Sequence, residues 1–168
     1  MNIPRLDREI GIEVYPTTTP GIGGVIRQFP EDFKVEEILA DGSKAQIEPS
    51  VISGGDGRGR YLVCVLVKRN LDNILAIQKI AERLRIDPER IHIAGIKDTR
   101  ALTAQHLSIG RMLPEQVNKT KFNNLKLYPV RFSDEKIHSN LLFGNQFNIT
   151  LRDISSSSPK IMERMENV

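Results

Sequence analysis

Tyr61-Leu-Val-Cys-Val-Leu-Val67 is a run of seven apolar residues with no polar alternation. A run of that length and β-branched content reads as a strand buried on both faces, because a half-exposed strand would alternate with polar residues. Lys68 and Arg69 end the run. Asp72 or Asn73 can then cap a helix on which Ile74, Ile77, Ile80, Ala81 and Leu84 form one apolar stripe, with Lys79, Arg83 and Arg85 beside it. Asp87-Pro88-Glu89 opens a second short helical turn, with proline at its favoured first position.

Around this centre the punctuation is that of a mixed fold. Val25-Ile26-Arg27 and Phe33 to Ile38 read as two strands joined by a turn at Pro30. Ser53 to Gly59 holds four glycines, but it lacks the Lys-Ser/Thr of a phosphate-binding loop and leads into a strand, so it reads as a flexible hairpin connection. Residues 91–94 form a strand, 101–105 a helical or irregular piece, and 106–109 another strand. One more strand lies within 122–132. The last, 143–152, has Phe147, Ile149 and Leu151 alternating. Ser155 to Ser158 with Pro159 is a linker, and 160–168 begins a helix.

With 168 residues the chain can bury about two thirds of its unfolded surface in one core. It has no apolar run near the ~18 residues that span a membrane, and its N-terminus has no apolar signal segment. Cys64 is the only cysteine, which excludes an internal disulfide and points to a reducing, cytoplasmic setting. His92, His106 and His138 lack ligand-like spacing, so no metal site is expected. Nor is there a Gly-x-Ser-x-Gly elbow for a hydrolase.

Charge is unevenly spread. Residues 1–57 hold 5 Lys/Arg against 10 Asp/Glu, a net of −5, whereas residues 58–136 hold 16 against 8, a net of +8. A basic middle is the footprint of a nucleic-acid binder, since neutralising phosphates releases counterions. Aromatic residues make up only 5% and there is no Trp, so an extended stacking platform is not expected. Within the basic block, Ala94-Gly-Ile-Lys-Asp-Thr-Arg-Ala-Leu-Thr-Ala-Gln105 sets Asp98 between Lys97 and Arg100 directly after a strand. On charge and position alone this is a turn, since Gly and Asp favour turns for local reasons. A lone anion in a basic loop also suits chemistry on a negatively charged polymer.

Four segments, in order, resemble the TruD family of tRNA pseudouridine synthases: Arg27 to Glu37, Leu66-Val-Lys68-Arg-Asn with the helix after it, Ala94 to Gln105, and Gly144-Asn145-Gln-Phe147. The third is the most specific, because Gly-x-Lys-Asp-x-x-Ala-x-Thr-x-Gln fixes six positions. The chain departs from the family at Gly59-Arg60-Tyr61, where Gly-Glu-His is usual, and at Asn140, where glycine is usual. The resemblance implies an α+β fold on a mixed, mainly antiparallel sheet with flanking helices. Residues 1–154 would be the N-terminal part of the catalytic domain, and 155–168 a linker and the start of an insertion domain that this chain lacks.

The resemblance also implies a reaction and a site. The family isomerises a uridine in tRNA, uridine-13 in the D-arm region, to pseudouridine without metal or cofactor. Asp98 would be its aspartate, attacking ribose C1′ or C6 of the base, or serving as a base. Arg27 stands where the family has a basic residue, usually Lys, and would pair with Asp98 to oppose its desolvation. Phe147 would stack on the flipped base, Asn145 would hydrogen-bond near it, and Phe33 would wall the pocket or belong to the core. Lys97 would turn toward the RNA backbone, while Thr103 and Gln105 would brace the loop. The alternative expectation is a catalytically silent fragment that binds RNA through its basic middle region, or an interaction module whose charges are a solvated face. The partner is tRNA in the first reading, and no membrane is involved.

Overall fold

The structure is a computed structural model that describes residues 3–15, 18–49 and 59–167. Its elements run α1 (Arg5–Glu9), β1 (Phe33–Leu39), β2 (Tyr61–Arg69), α2 (Asn73–Leu84), β3 (Ile91–Ile93), β4 (Leu102–Gly110), α3 (Pro114–Asn118), β5 (Leu125–Ser133), β6 (Leu142–Ile149) and α4 (Ser158–Glu166). The chain divides into two compact units, Ile26–Thr150 and Met1–Val25 with Leu151–Val168. The division falls at 150/151, and the first 25 residues belong to the same unit as the C-terminal segment.

The larger unit is a six-stranded sheet in the order β5-β2-β4-β1-β6, with β3 added on β4. Among the described residues only β1 and β4 pair in parallel; the other strand pairs are antiparallel. The apolar run of β2 lies between β5 and β4 with both faces covered. On one face Leu62, Cys64 and Leu66 pack with Ala76, Ile80 and Ala81 of α2. Full burial of a branched aliphatic side chain contributes about 1.5–3 kcal/mol, so this stripe fixes α2 on the sheet. On the other face Val63, Val65 and Val67 lie among Ala45, Ile47 and Ile137 from the connections after β1 and β5.

Local chemistry sets the ends of α2. The Asp72 carboxylate accepts from the backbone N–H groups of Ile74 (2.8 Å) and Leu75 (3.2 Å), as an N-cap does. Arg85 closes the helix in the left-handed region, φ 55°.

Two local expectations change. Val25 to Arg27 is not a strand: Val25 makes one isolated bridge to Arg152, and Arg27 sits at φ 58°, a left-handed conformation that interrupts extended pairing. Residues 102–105 are neither helical nor irregular but the first half of β4. Thr103, Gln105, His106 and Ser108 are polar yet buried there, which hides the alternation by which a strand is read. The glycine-rich connection before β2 lies outside the described residues except for Gly59.

The smaller unit holds α1 and α4. Gly24, at φ 102°, lets the backbone approach Arg152 so closely that a β-carbon would stand 2.8 Å from the Arg152 carbonyl oxygen. Arg164 of α4 donates to the Gly21 carbonyl at 2.8 Å. Among the described residues no helix is long and apolar enough to cross a membrane.

Candidate active site

The edge of β4 away from β2 is shared by two strands. β1 takes Leu102, Thr103 and Ala104 in parallel register, and β3 takes Leu107, Ser108 and Ile109 in antiparallel register. Between them the backbone N–H of His106 donates to Glu37 Oε1 at 2.9 Å, so a side-chain carboxylate stands where a strand carbonyl would be. The connection from β3 back to β4, residues 94–101, leaves the sheet beside this point and carries Asp98.

That connection is held by buried polar groups. Lys97 Nζ lies 2.7 Å from Glu37 Oε2, with Lys97 4% and Glu37 0% exposed, and His106 Nδ1 is 3.2 Å from Glu37 Oε1. Burial pushes the Glu37 carboxyl up, but hydrogen bonds from His106 and Lys97 outweigh it and hold the carboxyl below its ordinary value. Asn73, the first residue of α2, accepts from the Lys97 backbone N–H at 3.4 Å, and Gln105 donates to the Gly95 carbonyl at 3.4 Å. Lys68 donates to the carbonyls of Leu71, Lys97 and Asp98.

Directly opposed residues of paired strands point to one face. By register, Lys68, Thr103, Val35 and Phe147 form one row across β2, β4, β1 and β6, on the α2 side of the sheet. Arg27 joins this row to the loop. Its Nη2 donates to Asp98 Oδ1 at 2.6 Å, and both side chains are part-buried. The guanidinium lies 3.8 Å from the centroid of the Phe33 ring, and Phe33 meets Phe147 edge to face at 5.8 Å. A cation over a ring contributes about 0.5–2 kcal/mol, more as water is excluded. The result is a continuous contact path, Asp98–Arg27–Phe33–Phe147, ending in a ring that is 52% exposed. Chemically, it offers a carboxylate with an open flank, a fixed cation against it, and an aromatic face for a planar group.

The structure places two of the predicted residues, Lys97 and Thr103, differently. Lys97 does not face solvent: its ammonium is buried against Glu37, because an acid sealed under the loop needs a cation within reach. Phe33 is buried, supporting Arg27 and Phe147 from below. Asn145 is exposed, opposite Glu37 in the β1–β6 register. Gln105 braces the loop; the Thr103 hydroxyl is buried with no hydrogen-bond partner among the described residues. Sequence reasoning missed Lys68, Glu37 and His106. A signal existed for two of them, since Lys68 continues the 62-64-66 face of β2 and Glu37 the 33-35-37 face of β1.

The three histidines do not converge: His92 meets Tyr61 edge to face at 5.8 Å, His106 meets Glu37, and His138 meets Glu135. Among the described residues no group of three His, Cys, Asp or Glu could hold a metal ion. Part of the basic block gathers elsewhere, where Lys79, Arg83 and Arg85 line a depression of about 440 Å³ with Phe122 and Asn123.

Comparison with known proteins gives a consistent picture. The sequence model of the family described as "tRNA pseudouridine synthase D (TruD)" matches residues 9–168. A probable tRNA pseudouridine synthase D of Methanosarcina barkeri is 34% identical over 167 residues, covering 99% of this chain and 35% of the relative. That of Methanosarcina acetivorans is 39% identical over 157 residues, covering 94% and 33%. The crystal structure of a putative tRNA pseudouridine synthase D from Methanosarcina mazei superimposes with a TM-score of 0.83 at 31% identity, over 99% of this chain and 36% of that one. The chain thus spans about 35% of the length of the curated relatives it matches.

Proposed function

The chain belongs to the tRNA pseudouridine synthase D (TruD) family, and from that premise we propose that it carries the catalytic aspartate of a uridine-to-pseudouridine isomerisation on tRNA, with uridine-13 as the target. In that reaction the bond from ribose C1′ to N1 breaks and one from C1′ to C5 forms. The C5 proton leaves and N1 ends protonated, so no atom is gained or lost and no electron acceptor is required. Asp98 is the reacting carboxylate, acting on C1′ or C6. Arg27 sets a cation against it and holds it aimed as water is displaced by the substrate. The exposed Phe147 ring receives the extruded base; extrusion costs a few kcal/mol, and one stacking contact returns about 1–3 kcal/mol.

The observation that carries this reading is the Arg27–Asp98 ion pair seated on the Phe33–Phe147 ring pair, four residues from three separate segments brought onto one face. The test is incubation with an unmodified tRNA transcript, followed by carbodiimide treatment and primer extension. A stop at uridine-13 that disappears in Asp98→Ala is expected. A stop that survives Asp98→Ala removes the aspartate from its role.

A second reading, RNA binding without turnover, is favoured by the net charge of +8 over residues 58–136. It requires tRNA affinity that falls steeply with salt, with no product formed.

A further inference from the structure

We propose that Lys68 is a positioning residue for Asp98: its ammonium group, buried beneath the 97–98 peptide, fixes the loop segment that presents the carboxylate. This rests on the reading of Asp98 as the reacting group and concerns how that group is held. Lys68 is 1% exposed and, among the described residues, is the largest fully buried side chain. Its Nζ donates to the carbonyl oxygens of Leu71 at 2.9 Å, Lys97 at 3.2 Å and Asp98 at 2.7 Å. An ammonium has three N–H donors and no acceptor, so these three carbonyls account for its whole bonding capacity.

Burial of a cation is costly unless it is paired, and among the described residues no carboxylate forms an ion pair with this one. The compensation comes instead from backbone dipoles, and two of the three belong to the loop that carries Asp98. Burial pulls the Lys68 pKa down to about 8, with Asp72 and Asp98 opposing the shift and Lys97 reinforcing it. At pH 7 the group is therefore still ammonium, with all three donors in use.

The geometry divides labour at Asp98. Arg27 grips the carboxylate, and Lys68 grips the carbonyl of the same residue. With both ends of one residue fixed, the side chain is left few rotamers in which to approach a substrate. Methionine would fill the space of Lys68 but leave the carbonyls of Lys97 and Asp98 unpaired. Arginine keeps a charge and donors, but a planar fork cannot point three ways as an ammonium does.

The test compares the unaltered chain with Lys68→Met and Lys68→Arg by hydrogen exchange and by the ¹³Cγ resonance of Asp98. In Lys68→Met, exchange across 97–101 is expected to quicken at least tenfold, with amides of Leu62–Val65 and Leu107–Ile109 within twofold of the unaltered chain. The Asp98 resonance moves while the carboxyl ¹³Cδ resonance of Glu31 stays, and Lys68→Arg recovers part of both effects. The proposal is overturned if the loop is unchanged, or if loop and strands quicken together, which would make Lys68 a general core residue. Should Lys68→Met fail to fold, Lys68→Gln, which keeps two N–H donors, is judged by the same two readouts. Neither readout needs turnover, so a missing pseudouridine product would sink the isomerase reading and leave this result standing.

Discussion

Lys97 and Glu37 meet at 2.7 Å in a place closed to solvent, while Asp98, the next residue along, reaches the other way to Arg27. Two neighbouring charges thus do opposite things, one pinning the loop inward and one facing the site. Removing one member of a buried pair leaves an uncompensated charge, at about 3–5 kcal/mol. Lys97→Met is therefore expected to lower stability by that order in urea denaturation, and adding Glu37→Leu to restore much of it. A loss below about 1 kcal/mol for the single change would mean the pair is not closed in solution.

Acid should act through Glu37. Its carboxyl is held below the ordinary range in the fold, so the unfolded chain binds the proton more readily. Stability from this group is present above the unfolded value, near 4.5, and is lost as pH falls through the folded one. Denaturation midpoints measured from pH 6 downward are expected to drop less steeply in Glu37→Gln than in the unaltered chain. Parallel curves would count against the assignment.

Arg27 sits at φ 58°, a left-handed conformation that costs a non-glycine residue about 1–2 kcal/mol. That strain is worth keeping only if the guanidinium's place against Asp98 matters. Arg27→Ala is predicted to lower single-turnover rates by about 10²-fold, in line with loss of one preorganised electrostatic contact, while tRNA affinity changes less than threefold. Arg27→Lys should fall between, because an ammonium keeps the charge but not the planar guanidinium that lies over the Phe33 ring. Equal loss of rate and affinity would make Arg27 an RNA-binding cation instead.

Phe147 carries the other half of the site. Truncation to Ala is predicted to cost about 1–3 kcal/mol in kcat/KM for tRNA, and Phe147→Trp to cost far less, since any aromatic face can stack. The fold is expected to tolerate both, because the ring is half-exposed on β6. A loss of stability matching the loss of kcat/KM would show that the ring is chiefly core.

How much of this was legible beforehand varies by kind of residue. The covered strand β2 and the cap at Asp72 follow from patterns that local chemistry imposes, whereas the pairing of Arg27 with Asp98, far apart in sequence, was expected only from the family resemblance. Lys68, Lys97 and Glu37 do not, because a charged residue beside a strand is ordinarily solvated, and only three-dimensional neighbours reveal a buried one. The same cause hid the first half of β4: Thr103 and Gln105 are polar in type but interior in place, so the segment carried no alternation to read. Phe33 was ambiguous for the opposite reason, since an aromatic at a strand position is apolar whether it lines a pocket or supports one.

Strand β1 gives the site a common chassis. Its Phe33 carries the guanidinium, and its Glu37 moors the segment bearing the carboxylate. Breathing of the sheet that tilts or shifts β1 therefore transports both partners of the reactive pair together, and their spacing is insulated from motion that would separate groups mounted on independent strands.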